Sequence, residues 1–159
     1  MSDISILPFD KSRADHFRSI NEEWIAQMFT LEPLDVAVLS DPQTHILDHG
    51  GDILFAAVPD LGIVGTGALK PWDNGDLELT KMGVLEKARG RGIGEPLLRA
   101  LIRRGEEMAP GRVFLLTNSR CEAAIHLYER NGFEHDAALL ESAGRTYCRC
   151  DVGMRYTGA

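Results

Sequence analysis

The stretch that most constrains this chain runs from residue 78 to residue 98, ELTKMGVLEKARGRGIGEPLL. Its first residues alternate between polar and apolar, which is typical of a half-buried strand. Gly90, Gly92 and Gly94 then remove the side chains that would keep a ligand away from the backbone. Apolar residues at helical spacing follow, and Pro96 stands in the first turn, where a missing N–H costs nothing. The stretch predicts a strand, a glycine-rich turn and the start of a helix.

This junction favours the binding of an anion, and specifically of a phosphate. The unpaired N–H groups of a first helical turn and the positive end of the helix dipole would face the glycines. Arg89 and Arg91 add positive charge beside them. The chain lacks the Gly-Lys-Ser/Thr of a P-loop here, and the dinucleotide pattern would need glycine where Glu95 stands. An ordinary glycine-rich turn is the structural alternative.

The composition limits the class of protein. A length of 159 residues, 44% hydrophobic and 26% charged, suits one globular domain over residues 1–159. The sequence shows neither an apolar run of membrane-spanning length nor a signal-peptide pattern, which predicts a cytoplasmic protein without membrane association. A formal net charge of −7 without a basic run disfavours nucleic-acid binding and fits a cationic or amine-bearing partner better.

The segments before the glycines predict a strand, a helix and a hairpin. Residues 4–9 alternate as a short first strand, and the helix after them has an apolar stripe that includes Trp24, which we expect in the core. Residues 52–58 and 62–69 are β-rich and are separated by turn residues, so they predict a hairpin.

The segments after the glycine helix predict strands that alternate with helices. Residues 113–116 are a continuous apolar run of the kind buried in a parallel sheet. Ser119 and Glu122 have the spacing of a capping box for the next helix, which Gly132 would end as a left-handed cap. Two last strands are expected, over residues 133–140 and 145–155. The pattern indicates one mixed sheet with helices packed on it.

The cysteines and histidines do not predict a metal site. Cys121, Cys148 and Cys150 lack metal-type spacing, and their odd number argues against a disulfide framework. We expect Cys148 and Cys150 to be buried thiols on one face of a strand. His45 and His49 have the i, i+4 spacing of a helical metal pair without the following glutamate, so a loop or a short helix is the better interpretation.

Two signatures in the sequence resemble those of the GCN5-related N-acetyltransferase (GNAT) superfamily. The first is Arg-x-x-Gly-x-Gly, from Arg89 through Gly92 to Gly94, which is similar to the acyl-CoA pyrophosphate loop of that superfamily. The second comprises Asn118-Ser119, Ala123-Ala124-Ile125, Leu127-Tyr128-Glu129 and Asn131-Gly132-Phe133. Two signatures in the right order are much harder to obtain by accident than either one alone.

The resemblance covers the C-terminal half well, and it implies both a fold and a reaction. The implied fold is α+β, a mixed α/β sandwich whose mostly antiparallel sheet has about seven strands, splayed at the centre, and about four flanking helices. The implied reaction is direct transfer of an acetyl group from the cosubstrate acetyl-CoA to a primary amine of a small molecule or peptide. A homodimer is common in the family, and the edge strands allow one here.

The resemblance also implies where the coenzyme binds. The pyrophosphate is expected on backbone N–H groups of residues 91–95, and the pantetheine arm beside Met82 and Val84 like an added strand. That arrangement needs a splay beyond Val84, and Gly83 could supply a bulge. The expected coenzyme contacts are Met82, Gly83, Val84, Arg89, Gly90, Arg91, Gly92, Ile93, Gly94, Glu95, Asn118 and Tyr128.

Two residues are the catalytic candidates. The motif assigns Tyr128 as the general acid for the departing thiolate, and a core tyrosine is the alternative. Glu78 stands where some members carry a glutamate base, with Asp76 beside it to raise its pKa, although ordered water could act instead. Asn118 is expected either to bind the pantetheine amides or to cap a turn.

Two other functions stay open at this stage. A non-catalytic acyl-CoA-binding sensor would keep the glycine loop while Glu78 and Tyr128 became dispensable. A transferase for a longer acyl chain would need more space around Met82 and Tyr128. The presence of both side chains beside an intact loop favours an enzyme.

Overall fold

The strands form one seven-stranded mixed sheet in this computed structural model, which describes residues 3–142 and 147–158. In chain order they are β1 (Ser5–Pro8), β2 (Asp52–Val58), β3 (Gly62–Pro71), β4 (Leu77–Val84), β5 (Val113–Thr117), β6 (Phe133–His135) and β7 (Val152–Tyr156). Their order in the sheet is β1-β2-β3-β4-β5-β7-β6. The pairing of β4 with β5 is parallel and the other pairings are antiparallel, which confirms the predicted sheet.

Six α-helices flank this sheet within the described residues, rather than about four, because two of them are very short. They are α1 (Ala14–Met28), α2 (Pro33–Ser40), α3 (Pro42–His45), α4 (Gly94–Glu107), α5 (Glu122–Arg130) and α6 (Ala138–Ser142). None of the helices described is long and apolar enough to span a membrane.

The hydrophobic core lies on both faces of the sheet because β2 is apolar at successive positions. Leu54 and Ala56 pack in the cluster that contains Leu97 of α4. Ile53 and Phe55 point to the opposite face, where they pack in a cluster with residues of α1 and α2. One layer of helices on each face of the sheet makes the predicted α/β sandwich.

The sheet opens at its centre, between β4 and β5. Leu77 stands opposite Val113 and Glu78 opposite Phe114, and the pairing then ends. From Phe114 onward β5 pairs along its length with β7 and moves away from β4. The predicted splay exists, but its predicted position beyond Val84 is wrong, because the strands separate directly after Glu78.

A bulge in β4 lies at Lys81 and Met82 rather than at Gly83. These two residues together face Gly67 of β3, and Lys81 has a positive φ of 53°, which is uncommon for a residue with a side chain. Gly83 is required for a different reason. A Cβ at this position would collide with the indole ring of Trp24, so the close approach of α1 to β4 depends on glycine.

The strand predicted over residues 133–140 is wrong beyond His135. β6 ends at His135, and a side-chain oxygen of Asp136 accepts a hydrogen bond from the backbone N–H of Ala138 at 3.1 Å. This cap starts α6, which buries Leu139. The local capping preference of Asp136 therefore prevails over the alternation that suggested a longer strand.

β7 is also shorter than predicted, since it begins at Val152 and the chain turns before it. Residues 143–146, which include part of the predicted connecting turn, lie outside the described residues. The prediction of two buried thiols on one strand face is wrong, because Cys148 is exposed in the turn and Cys150 is half-buried. Burial raises the pKa of the Cys150 thiol to about 11, so this thiol stays protonated near neutral pH.

Candidate active site

An open groove of about 620 Å³ runs from β4 over the glycine turn to α5. We call it the glycine groove. Its lining is Met82, Gly83, Val84, Ala88, Arg89, Gly90, Gly92, Ile93, Gly94, Glu95, Ala123, Ala124, His126, Leu127, Tyr128 and Arg130. Of the residues predicted to contact a coenzyme, Arg91 and Asn118 do not line this groove. The structure brings the others together along it.

Backbone N–H groups are the main polar feature of the glycine groove. Gly90 and Gly92 have positive φ angles of 81° and 73°, and nothing lies within 4 Å of where their Cβ atoms would be. Among the described residues, the backbone N–H groups of 90–95 have no hydrogen-bond acceptor. They lie at the start of α4, where the helix dipole is positive, and most of these residues line the groove. This arrangement suits an anionic ligand.

The charged side chains around the turn hold the turn in place. Arg89 donates through Nε to the backbone carbonyl of Val84 at 3.2 Å. Arg91 points away from the groove and donates to both carboxylate oxygens of Asp60, at 3.0 and 3.2 Å. A hydrogen bond from Asn131, at 3.1 Å, is the largest cause that lowers the pKa of Glu95. Glu95 therefore ties the start of α4 to the end of α5.

A small cavity of about 60 Å³ fills the opening between β4 and β5, and we call it the central cavity. It is lined by Trp24, Phe29, Glu78, Leu79, Thr80, Lys81, Met82, Leu115, Leu116, Thr117, Asn118, Cys121, Tyr128, Tyr147, Arg149 and Cys150. Met82 and Tyr128 line both this cavity and the glycine groove. A ligand in the groove can therefore meet a ligand in the cavity at these two residues.

Tyr128 lies where the groove and the cavity meet, and its side chain is 9% exposed. Its ring packs edge to face on Phe133, with ring centroids 5.8 Å apart. Burial raises the pKa of the Tyr128 phenol, so the phenol holds its proton near neutral pH. No hydrogen-bond partner of its hydroxyl is found among the residues described. A protonated hydroxyl in this position can donate to a bound group.

Glu78 projects into the central cavity and is 5% exposed. It accepts a hydrogen bond from Nε1 of Trp72 at 3.0 Å. Burial raises the pKa of the Glu78 carboxyl, which moves it toward the range of a general base. The expected pairing with Asp76 is wrong, because Asp76 lies before the strand and accepts a hydrogen bond from Arg112 at 2.8 Å. Burial rather than a second carboxylate raises this pKa.

Asn118 is used in the turn between β5 and α5. Its Oδ1 accepts from the backbone N–H of Arg120 at 2.8 Å, and its Nδ2 donates to the carbonyl of Arg149 at 2.6 Å. These bonds favour the turn role over the pantetheine role. The predicted capping box is wrong, since α5 begins without a side-chain cap and Ser119 binds Asp151 instead.

A buried ion cluster lies beside the central cavity, which two of its members, Lys81 and Arg149, help to line, and sequence analysis missed it. Asp35 of α2 is 0% exposed and accepts from Lys81 at 2.6 Å and from Arg149 at 2.7 and 2.8 Å. Lys81 also donates to the hydroxyl of Tyr147 at 2.9 Å. Burial would raise the pKa of Asp35, but hydrogen bonds from Arg149 and Lys81 lower it to about 2.

The signal for this cluster in the sequence is weak. By alternation Lys81 falls on the same side of the strand as Leu77 and Leu79, which is the one hint that this charge is buried. Asp35 stands in the first turn of a helix, an ordinary position for a solvated charge. The contacts join residues 46 or more positions apart. Trp24 was also misjudged: it is half-buried, lines the central cavity and donates through Nε1 to Asn21 at 2.9 Å.

The two histidines lie apart from this site. His45 ends α3 and His49 ends a separate 3-10 turn, so they do not share a helix. Within the described ranges, no group of three His, Cys, Asp or Glu residues comes together to hold a metal.

Comparison with known proteins identifies a family. A family model described as an acetyltransferase (GNAT) domain matches residues 50–135, more than half of the chain. The N-acetyltransferase YjgM of Escherichia coli (strain K12), itself uncharacterised, is 34% identical over 89 residues, which are 54% of this chain and 53% of that protein. The chain thus spans about half the length of the curated relative that it matches.

Solved structures share the fold. A GNAT-family acetyltransferase from Staphylococcus aureus Mu50 has a TM-score of 0.84 at 23% identity, over 97% of this chain and 98% of that chain. The PaiA N-acetyltransferase from Thermoplasma acidophilum, solved with coenzyme A, has a TM-score of 0.71 at 15% identity, over 98% and 99%. At these identities the likeness concerns the fold, and it confirms the fold class predicted from the sequence.

Proposed function

Because the chain belongs to the GNAT acetyltransferase family, we propose that it transfers an acetyl group from acetyl-CoA directly to a primary amine of a small molecule or peptide. The observation that carries this proposal is the meeting of the glycine groove and the central cavity at Met82 and Tyr128. It would bring the two substrates of a direct transfer together within one opening of the sheet.

The glycine groove would hold the coenzyme. Its N–H groups at residues 90–95 suit the pyrophosphate, because they offer donors at the positive end of the helix dipole and the nearby Glu95 is already bonded to Asn131 and Arg130. The pantetheine arm would follow β4 past Val84 to Met82, beside the gap that β5 leaves.

The central cavity would hold the amine and the groups that move protons. Glu78, or a water molecule beside it, takes a proton from the ammonium, and the neutral amine attacks the thioester carbonyl. The carbon–sulfur bond then breaks, and the departing thiolate takes the phenolic proton of Tyr128. The nitrogen loses its second proton as the amide forms, and a proton returns through solvent to the Tyr128 phenolate. The raised pKa of Glu78 supports the first role. The second is supported by the position of Tyr128 where the groove and the cavity meet, with a hydroxyl that has no hydrogen-bond partner among the described residues.

Replacement of Tyr128 by phenylalanine tests the proposal. We expect Tyr128→Phe to lower kcat about 10²- to 10⁴-fold while the KM for acetyl-CoA stays unchanged, since only the transition state uses this proton. Free thiol released from acetyl-CoA with a panel of amines is the measurement. Tyr156→Phe is the matched control, because Tyr156 packs on the same Phe133 and lines neither the groove nor the cavity.

Two results would count against the proposal. Full activity of Tyr128→Phe would show that Tyr128 is not the general acid. Coenzyme A binding without thiol release for any amine would instead indicate an acyl-CoA-binding sensor.

A further inference from the structure

A second groove adjoins the central cavity through Phe29 and Arg149, which line both. It has a volume of about 760 Å³ and is walled by residues 27–30, 32 and 33, by Arg120 and by the turn at Cys148 and Arg149. We call it the mouth groove. Because the glycine groove meets the cavity at other residues, the mouth groove leaves a separate way to the central cavity for a second substrate.

Arg120 lines the mouth groove and is not part of the buried ion cluster. Its side chain is exposed, and its guanidinium carbon lies 5.0 Å from the ring centroid of Phe29. In the part of the chain that the structure describes, this guanidinium has no carboxylate partner. The bond from its backbone N–H to Asn118, at 2.8 Å, holds the turn that carries it.

The other charges of this region balance each other. Glu32 and Asp35 are paired with Lys81 and Arg149, through contacts of 2.6 to 3.3 Å. Two negative and two positive charges leave Arg120 as the surplus. Among the described residues that line the mouth groove, Glu32, Arg149 and Arg120 therefore leave one surplus positive charge, on a chain whose formal net charge is −7. A polycationic amine would suit the protein as a whole but not this groove.

We infer that the amine acceptor also carries a carboxylate, and that Arg120 binds this carboxylate while the amine enters the central cavity toward Glu78. The inference rests on the proposed function. A guanidinium donates two parallel hydrogen bonds to a carboxylate, and Phe29 already limits the movement of this one. One surplus positive charge matches a singly charged carboxylate better than a phosphate group, which is close to doubly charged.

The test compares each amino acid with its own amide, so that the two members of a pair differ in the carboxylate charge. A series of amino acids with increasing separation between amine and carboxylate is assayed beside the corresponding amides, with spermidine as a polycation. We expect the best acid to exceed its amide about 10- to 100-fold in kcat/KM, as for a charge-assisted hydrogen bond. Arg120→Gln should abolish that preference by raising the KM for the acid, with the KM for acetyl-CoA unchanged.

Two variants serve as controls. Arg120→Lys should retain part of the preference, because it keeps the charge and loses the two-pronged geometry. Arg103→Gln removes the same charge from an exposed position of α4 that lines neither the cavity nor the mouth groove, and should change nothing.

The failure of this inference differs from the failure of the proposed function. Equal rates for acid and amide, a preference for spermidine, or a carboxylate preference that survives in Arg120→Gln would overturn it while acetylation continued. If no amine were acetylated, the proposed function would fail. Calorimetry with the coenzyme-loaded protein would then still test the inference. The amino acid should bind more tightly than its amide, and only to the protein that retains Arg120.

Discussion

The glycine groove and the central cavity lie side by side but are built in different ways. The groove presents backbone N–H groups of one short segment, 90–95, at the start of α4. The cavity presents side chains that are far apart in the sequence, from Trp24 to Cys150. One site depends on the conformation of a loop, and the other on the packing of several elements.

Under the proposed function, this difference would separate coenzyme binding from amine specificity. Backbone donors are the same whatever the side chains, so a loop with suitable φ angles can bind a shared coenzyme. Side chains on distant elements can change one at a time, so the cavity and its mouth can adapt to different amines. The cavity also carries buried charges that must be paired, which makes it the more vulnerable of the two.

The largest expected effect comes from replacing Asp35, and it should leave the glycine groove unchanged. Asp35→Asn leaves Lys81 and Arg149 without their shared carboxylate, so we expect a loss of about 3–5 kcal/mol in the free energy of unfolding. Urea unfolding at neutral pH measures this loss. Calorimetry should show unchanged affinity of the folded variant for coenzyme A.

The matched control is Asp52→Asn, which weakens a 2.7 Å contact with the half-exposed Arg104. It should cost at most about 1 kcal/mol, because water screens that pair. If both variants lost equal stability, the buried cluster would not be the support that we describe. If Asp35→Asn also lost coenzyme A binding, the two regions would not be separable.

The second effect concerns Glu78, where stability and activity should move in opposite directions. Glu78→Gln should lower kcat about 10²-fold, since a general base is lost. Its folded-state pKa is raised above the ordinary value of 4.5, so wild-type stability falls as the pH rises above about 4.5, where the unfolded chain ionises first. The variant lacks this fall, and it should unfold at higher urea concentration than the wild type at pH 7.

Urea titrations at pH 4 and pH 7, together with rates at saturating amine, measure both parts. An unchanged kcat would assign the proton transfer to water. If Glu78→Gln were less stable than the wild type at pH 7, the account of a carboxyl whose ionisation is opposed by burial would be contradicted.

The smallest effect should be confined to the glycine groove. Gly92→Ala places a side chain on a residue with φ +73°, at a cost of about 1–2 kcal/mol in stability. It also puts a methyl group beside the N–H groups of residues 90–95, so coenzyme A affinity should fall at least about tenfold, by the loss of one such contact. The KM for the amine should not change.

Gly50→Ala is the control for Gly92→Ala. Gly50 has a similar φ of +86° with nothing within 4 Å, and it lines neither groove nor cavity. The two variants should lose similar stability, and only Gly92→Ala should lose coenzyme A affinity. Equal affinities in the two would show that the glycine turn does not hold the coenzyme.

Much of the fold could be predicted because its signals are local. The hairpin of β2 and β3, the short parallel contact of β5 and the left-handed Gly132 at the end of α5 all follow from turn residues and apolar runs, and the structure confirms them. The strand over 133–140 failed because alternation over a few residues does not distinguish a strand from a capped turn. The cap at Asp136 decides in favour of α6.

The candidate site divides in the same way. The sequence alone determined that a glycine-rich turn opens α4, because backbone conformation depends mainly on neighbours in the chain. Only the tertiary structure decided that Lys81 forms a bulge, that Asp35 pairs with it across the fold, and that the Arg120 guanidinium has no carboxylate partner among the described residues. The pairing of charges depends on which distant side chains share a low-dielectric interior, and that depends on packing.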